Sequence, residues 1–294
     1  MVIKSADDLS QALGKYEPDY GYEVYVHRGV AYSRFAWPEF IAAIEDFPLH
    51  DDDVMLVGPP KSGTNWLDIM VAHLYDHWGT TKISRNGIVP EICLPNIERL
   101  GFDGYGTCLR AESPRLMKSH LPSDHMPLAF RDHGVGRAVV ITRNPKDVCD
   151  SYFNQLKPAL TLDWDQFVPA FAAGKTPFGP WLHNVLSWRE PKYADRVLHL
   201  TYEEMRRDIR AELKRLTDFL GPVSPERLEK VIADTEFEAM KTNGLSKEYQ
   251  SMMVIRSAQV GGWKRRFTVA QSEYFDEVLD KPLRERGIEM IYEL

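Results

Sequence analysis

The chain has 294 residues, of which 44% are hydrophobic and 27% charged, and carries a formal net charge of −7. Those values describe an ordinary globular protein able to bury a large core, and the negative balance argues against a general nucleic-acid-binding surface while leaving room for a local basic cleft around a small anion. No apolar run is long enough to span a bilayer, and the opening MVIKSADDLS lacks the basic region and apolar core of a secretion signal, so a cytoplasmic protein with no membrane partner is expected.

Residues 1 to 50 are rich in aromatics, among them Tyr16, Tyr20, Tyr25, Tyr32, Trp37 and Phe40, with little periodicity. Within them GYEVYVHRGVAY alternates, which predicts short strands or a hairpin that either covers an edge of the fold or walls an apolar pocket. Asp53 to Val57 then reads as a buried strand, and the apolar spacing from Asn65 to Trp78 predicts a helix packed on a sheet. Between them VGPPKSGTNW forms a Gly- and Pro-rich turn at a helix N-terminus, where unsatisfied N–H groups and the positive end of the helix dipole favour phosphate or sulfate. The spacing matches Gly58 and Gly63 of the nucleotide-triphosphate loop, yet Thr64 stands where that loop has lysine, and the lysine has moved to position 61.

Residues 79 to 113 lose periodicity and read as a long surface excursion, either an irregular connection or a contributor to substrate selection. Arg115 to His120 reads as a short strand ending before Pro122, and on an extended segment Lys118 and His120 fall on one face, so a cation and a titratable base converge. Arg137 to Thr142 is a β-branched run typical of a central parallel strand, followed by a helix through Gln155 with a proline suited to its first turn. That order puts Arg143 at the carboxyl end of the strand and Ser151 on the helix, a pair suited to a second phosphate, with a salt-bridged arginine and an incidental serine as the alternative.

Helical patterns follow at 163 to 173 and 179 to 190, then a strand at 196 to 200 and helices at 203 to 219 and 224 to 235. Repeated strand-then-helix order predicts an α/β fold with a central parallel sheet flanked by helices, a P-loop-kinase-like strand-loop-helix at its phosphate end, and one domain over 1–294. Residues 241 to 266 turn irregular again, as either a lid or an ordinary surface loop, and a final amphipathic helix is expected from about Thr268 to Arg286. The three cysteines, Cys93, Cys108 and Cys149, have neither disulfide nor zinc spacing and read as small buried side chains.

Taken together, PKSGTNW at 60 to 66, KSHLP at 118 to 122, TRNPKDVCDSYF at 142 to 153, TYEEM at 201 to 205 and RSAQVGGWKRRFT at 256 to 268 resemble the cytosolic sulfotransferase family, in order and over nearly the whole chain. The resemblance implies transfer of a sulfuryl group from 3′-phosphoadenosine 5′-phosphosulfate (PAPS) to a hydroxyl or amine of a small acceptor, leaving adenosine 3′,5′-bisphosphate (PAP), with no metal required. It implies that Lys61, Ser62, Gly63, Thr64 and Asn65 form the 5′-phosphosulfate loop, that Trp66 and Tyr202 lie at the adenine, and that Arg143 and Ser151 hold the 3′-phosphate. Arg256, Ser257 and Gly261 fall in the family's C-terminal phosphate segment, and Lys118 and His120 match its catalytic pair, with Lys61 also serving the reaction.

Three positions depart from the family pattern: Asn65 replaces Thr, Glu236 follows Thr235 in place of Ser, and Ser257-Ala258 replaces Lys-Gly. The stretch Lys264 to Glu273 fits the family's K-x-x-x-T-V-x-x-x-E dimerisation segment and implies a weak homodimer. The acceptor is expected to be small and apolar, with its pocket drawn from 16 to 40, 79 to 113 and 241 to 256. The competing readings are a P-loop small-molecule kinase, which needs Mg²⁺ and a lysine directly before the loop Ser/Thr, and a catalytically silent protein that binds a hydrophobic ligand.

Overall fold

The computed structural model describes residues 24–33, 38–83, 89–93, 96–97, 102–242 and 259–294. At its centre four parallel strands run in the order β6-β3-β7-β8: β3 is Val54–Val57, β6 Leu116–Ser119, β7 Arg137–Thr142 and β8 Val197–Thr201. Every residue of β3 is fully buried, because its neighbours β6 and β7 pair with it on both edges and helices cover both faces.

Alternation along the strands builds two cores. Met55, Val57, Met117, Ala138 and Val140 face one side, where Phe130 and Trp188 join them. Val54, Leu56, Leu116, Val139 and Ile141 face the other, against Leu67, Met70 and Leu74 of one helix and Leu213 and Leu216 of another. Each large side chain so buried contributes about 1.5–3 kcal/mol. The expected α/β architecture with its parallel sheet is the one observed.

The predicted N-terminal strands form a hairpin of β1 (Val24–His27) and β2 (Val30–Ser33), followed by α1 (Pro38–Ile44). The helix after the phosphate turn, α2 (Thr64–Leu74), is shorter than predicted; Tyr75 leaves helical geometry and a separate α3 (Gly79–Ile83) follows. Reading 79 to 113 as a surface excursion is wrong for its described part. It contains α3, the small ladder β4 (Asn96–Ile97) with β5 (Phe102–Asp103), and α4 (Gly104–Arg110), and it buries Ile92, Cys93 and Cys108 completely. These apolar residues lack a common period because they come from short pieces packed on β6, so periodicity could not find them.

Beyond β7 lie α5 (Pro145–Leu156), α6 (Trp164–Ala172) and α7 (Trp181–Ser187), close to expectation. The single helix expected over 203 to 219 is two, α8 (Tyr202–Arg207) and α9 (Ile209–Leu220), because Asp208 adopts extended φ (−147°) and caps α9 by accepting from the Ala211 amide. After α10 (Pro225–Asp234), the last helix starts as α11 (Val269–Phe275), widens into a π-turn over Asp276–Asp280 and closes as α12 (Lys281–Arg284). All three cysteines are buried thiols, matching the reading of them as small buried side chains.

Candidate active site

The turn from β3 to α2 is shaped by steric demands at its glycines. A Cβ on Gly58 would lie 2.2 Å from the Ile141 carbonyl oxygen of the neighbouring strand. Gly63 sits at φ 101°, and a Cβ there would meet the Tyr202 ring at 2.7 Å. Between them Lys61 takes the left-handed conformation (φ 71°), an arrangement that costs a non-glycine residue on the order of 1–3 kcal/mol and is typical of functional turns. Ser62 is fully buried, and its Oγ has no hydrogen-bond partner among the described residues. The loop therefore presents a strained lysine, a buried hydroxyl and the amides at the start of α2.

The carboxyl end of β6 lies beside this loop. His120, one residue beyond the strand, places Nδ1 2.7 Å from the Gly58 carbonyl. A carbonyl oxygen only accepts, so the proton resides on Nδ1 and Nε2 is left as the basic nitrogen. Burial depresses the imidazole's pKa; Glu91 raises it, while Lys118 and Lys61 lower it further. The ring is neutral at physiological pH and rests 5.2 Å from Phe178, edge to face, while the His120 carbonyl accepts from Asn184 Nδ2 (2.9 Å).

Lys118 and His120 do converge on the loop, but the lysine is less free than one strand face implied. Its ammonium donates to Asn65 Oδ1 (2.9 Å) and lies 3.3 Å from Asp68 and 3.8 Å from Glu91. Asn65, a departure from the family pattern, thus spends its amide oxygen on Lys118 and keeps only its NH₂ as a donor to any anion. Asp68, entirely buried, has its carboxyl pushed up to about 7 by desolvation, with Lys118 opposing. Sequence reading overlooked Asp68, Glu91 and Asn184; a lone carboxylate in the otherwise apolar face of WLDIMVAHL was the signal available for Asp68.

Arg143 follows β7 as expected. Its guanidinium lies 4.3 Å from the Tyr202 ring centroid, donates to the Gln259 carbonyl (2.8 Å) and pairs with Asp147 at 3.4 Å, while its buried Nε has no hydrogen-bond partner among the described residues. Asn144 caps α5 by accepting from the Asp147 amide, and its own donors go to Glu203 (3.0 and 2.9 Å), which fixes the strand-to-helix turn. Ser151 lies on the second turn of α5, half-buried. Gly261 reaches the same region, but its amide donates to Asp147 (2.9 Å), as does that of Trp263 (2.9 Å), so the contribution of Gly261 is to anchor the segment through a carboxylate. Arg256 and Ser257 lie outside the described residues.

Trp66 and Tyr202 meet edge to face at 5.7 Å. The Trp66 indole N–H donates to the Thr235 carbonyl (2.9 Å), and Thr235 in turn bonds Val231, so this aromatic wall stands although Glu236 replaces serine. Beside His120 a small pocket is lined by Pro59, Pro60, Tyr152, Phe171, Phe178 and Trp181. Its described walls come from the loop and from 148–184, while parts of 16 to 40, 79 to 113 and 241 to 256, where the acceptor pocket is expected, lie outside the described residues. The hairpin backs this wall: the Phe178 amide donates to the Ala31 carbonyl (2.7 Å), and Tyr32 packs edge-on against the Phe178 ring.

Known proteins match this arrangement. The sulfotransferase domain family fits residues 51–287. Sulfotransferase 1 family member D1 of Rattus norvegicus is 32% identical over 274 residues, covering 85% of this chain and 90% of the relative. Sulfotransferase 1E1 of Bos taurus is 33% identical over 250 residues, covering 79% and 84%. Mouse sulfotransferase SULT7A1, crystallised with PAP, superposes with a TM-score of 0.76 at 29% identity, covering 89% of this chain and 95% of that one. Retinol dehydratase, solved with retinol and PAP, shares the fold with a TM-score of 0.77 at 20% identity, covering 98% and 96%.

Proposed function

Because the chain belongs to the sulfotransferase family, we propose that it moves a sulfuryl group from PAPS to a hydroxyl, or an amine, of a small apolar acceptor. The observation that carries this reading is the placement of His120 on the Gly58 carbonyl, which sets its basic Nε2 beside an anion-binding loop and an aromatic pocket. The kinase reading is not favoured: its loop needs a lysine directly after the second glycine and a Ser/Thr next, and here Thr64 follows Gly63 and Asn65 stands at the Ser/Thr position.

The residues fit the donor at both of its anionic ends, since Ser62 Oγ and Arg143 Nε are buried polar atoms whose hydrogen-bonding capacity the described protein leaves unused. Lys61, Ser62, Gly63, Thr64 and the NH₂ of Asn65 would hold the 5′ end, Arg143 and Ser151 the 3′-phosphate, and the Trp66 and Tyr202 rings the base, with Arg256, Ser257 and Gly261 closing the site. When bound, PAPS supplies the sulfuryl group. The protein's part is to orient the acceptor in the pocket beside His120, take its proton at Nε2 and set Lys61 and the helix amides against the negative charge that grows on the departing phosphate oxygen. Lys118 contributes positive charge at the sulfuryl oxygens, held in place by Asn65 and its carboxylates.

The same proposal takes residues 1–294 as one cytoplasmic domain and residues 264–273 as a homodimer contact; the match to the family over 51–287 supports the first, and the exposed Val269 the second. None of the helices among the described residues is long and apolar enough to cross a membrane. Calorimetry provides the test. PAP should bind far more tightly than adenosine 5′-phosphate, and Arg143→Ala should erase the preference by removing charge-assisted bonds to the 3′-phosphate. Equal affinities for the two nucleotides would remove the role given to Arg143 and Ser151.

A further inference from the structure

One carboxylate at the site, partly buried beside Lys118, faces the other member of the reacting pair as well. Glu91 lies on segment 89–93, which runs parallel to the end of β6: the Lys118 amide donates to the Pro90 carbonyl, and the Ile92 amide to the Lys118 carbonyl, both at 2.9 Å. This single bridge adds a short outer rung to the sheet at the reacting end. The Glu91 side chain is tied to it twice, since Oε1 accepts from the Cys93 thiol at 3.0 Å and Oε2 stands 3.8 Å from Lys118 Nζ. The His120 backbone also stabilises the Cys93 thiolate form, so Glu91 adjoins both members of the reacting pair.

We propose that Glu91 is a positioning residue for sulfuryl transfer, holding Lys118 in place and acting as the counter-charge to the imidazolium that His120 becomes on taking the acceptor's proton. The proposal rests on the reading of His120 as general base. In that step the proton leaves the acceptor oxygen for Nε2, and one positive charge appears on a ring enclosed by protein.

The groups facing His120 decide what can stabilise that charge. Lys118 and Lys61 are both cations and oppose it. Asp68 lies across Lys118, but desolvation raises its carboxyl to about 7, so it is only partly ionised at neutral pH. Glu91 differs: burial pushes it upward, yet attraction to the His120 ring when that ring is protonated, the charge of Lys118 and the hydrogen bonds from Cys93 and Lys118 outweigh burial and keep it below the usual range. Of the two carboxylates beside Lys118, Glu91 is the one bridged to the strand end that carries His120 and held in the ionised form. A carboxylate near an imidazole stabilises the protonated form, and its removal typically shifts the ring by about one pH unit or more.

The test reads the proton on His120 directly and needs no acceptor. Protein labelled with ¹³C-histidine is titrated by NMR, without and with added PAP, and the His120 Cε1 signal is assigned by its loss in His120→Asn. Glu91→Gln keeps the shape and the Cys93 contact but removes the charge; its His120 midpoint should fall by about one unit. Glu91→Asp, which withdraws the charge by one methylene, should give a smaller fall. An unchanged or raised midpoint in Glu91→Gln overturns the proposal. Should that variant fail to fold, Glu91→Asp decides alone by the same criterion, and a wild-type ring that stays neutral down to pH ~4 overturns it too, since a counter-charge that effective would not permit so low a value. Loss of PAP binding would instead sink the functional reading and leave the free-protein titration to judge Glu91.

Discussion

At the scale of the residue, the division of labour proposed for His120 and Lys61 makes a sharp prediction. His120→Ala removes the base at Nε2 and should lower turnover about 10²–10⁴-fold while PAP affinity stays near wild type. Lys61→Ala removes both a loop cation and the stabiliser of the leaving oxygen, so turnover and PAP affinity should fall together; steady-state rates with labelled PAPS, paired with calorimetry, separate the two. The sign of the pH dependence follows from the depressed His120 pKa. The ring is the active, neutral base above that value, so the rate should be flat through pH 7 and decline only as pH drops well below ~6.5, the ordinary histidine value. A decline beginning above pH 7 would contradict the assignment.

Between elements, a buried ion pair fixes where β3 and β6 begin. Asp53 and Arg115, both essentially inaccessible, meet through Arg115 Nε and Nη2 at 3.0 and 2.5 Å, and the guanidinium also donates to the carbonyls of Cys108 (3.0 Å) and Pro48 (2.6 Å). One arginine thus ties α4 and the approach to β3 onto the sheet edge that carries Lys118. Arg115→Met leaves Asp53 charged without its partner and should cost about 3–5 kcal/mol, read from the urea midpoint. Replacing both partners by apolar residues should recover part of that loss, because the isolated charge is the larger fault. A second constraint acts from the C-terminal side, where Asp147 gathers Gly261, Trp263 and Arg143 and so positions the last described segment beside the residues proposed for the 3′-phosphate.

For the whole molecule, the question is assembly. Lys264 to Glu273 spans the start of α11, where Val269 is 75% exposed and Thr268 closes a capping box with Gln271. Lys264 is engaged by Glu293 of its own chain (2.5 Å), an exposed pair worth little and exchangeable for Glu273 of a second copy. A contact this short buries little area, so light scattering across a dilution series should show dimers that dissociate into monomers, and Val269→Glu should abolish them. A strict monomer at high concentration would defeat the dimer.

Local chemistry let the sequence by itself determine the strand-loop-helix at Gly58 to Trp66, the four central strands, the cap and first turn of α5 and the identity of the residues around the loop. Each depends on backbone sterics or on alternation that a few neighbouring residues dictate. The breaks at Tyr75 and Asp208 were not legible, because tertiary packing and a side-chain cap overrode a continuous apolar period. What only the tertiary structure decided lies between segments far apart in the chain: Lys118 shared among Asn65, Asp68 and Glu91, the Nδ1 proton of His120 fixed by Gly58, and a small aromatic pocket that joins Pro59 and Pro60 to 148–184. A buried charge is defined by whatever surrounds it in space, and no pattern along the chain records which carboxylate a lysine will meet.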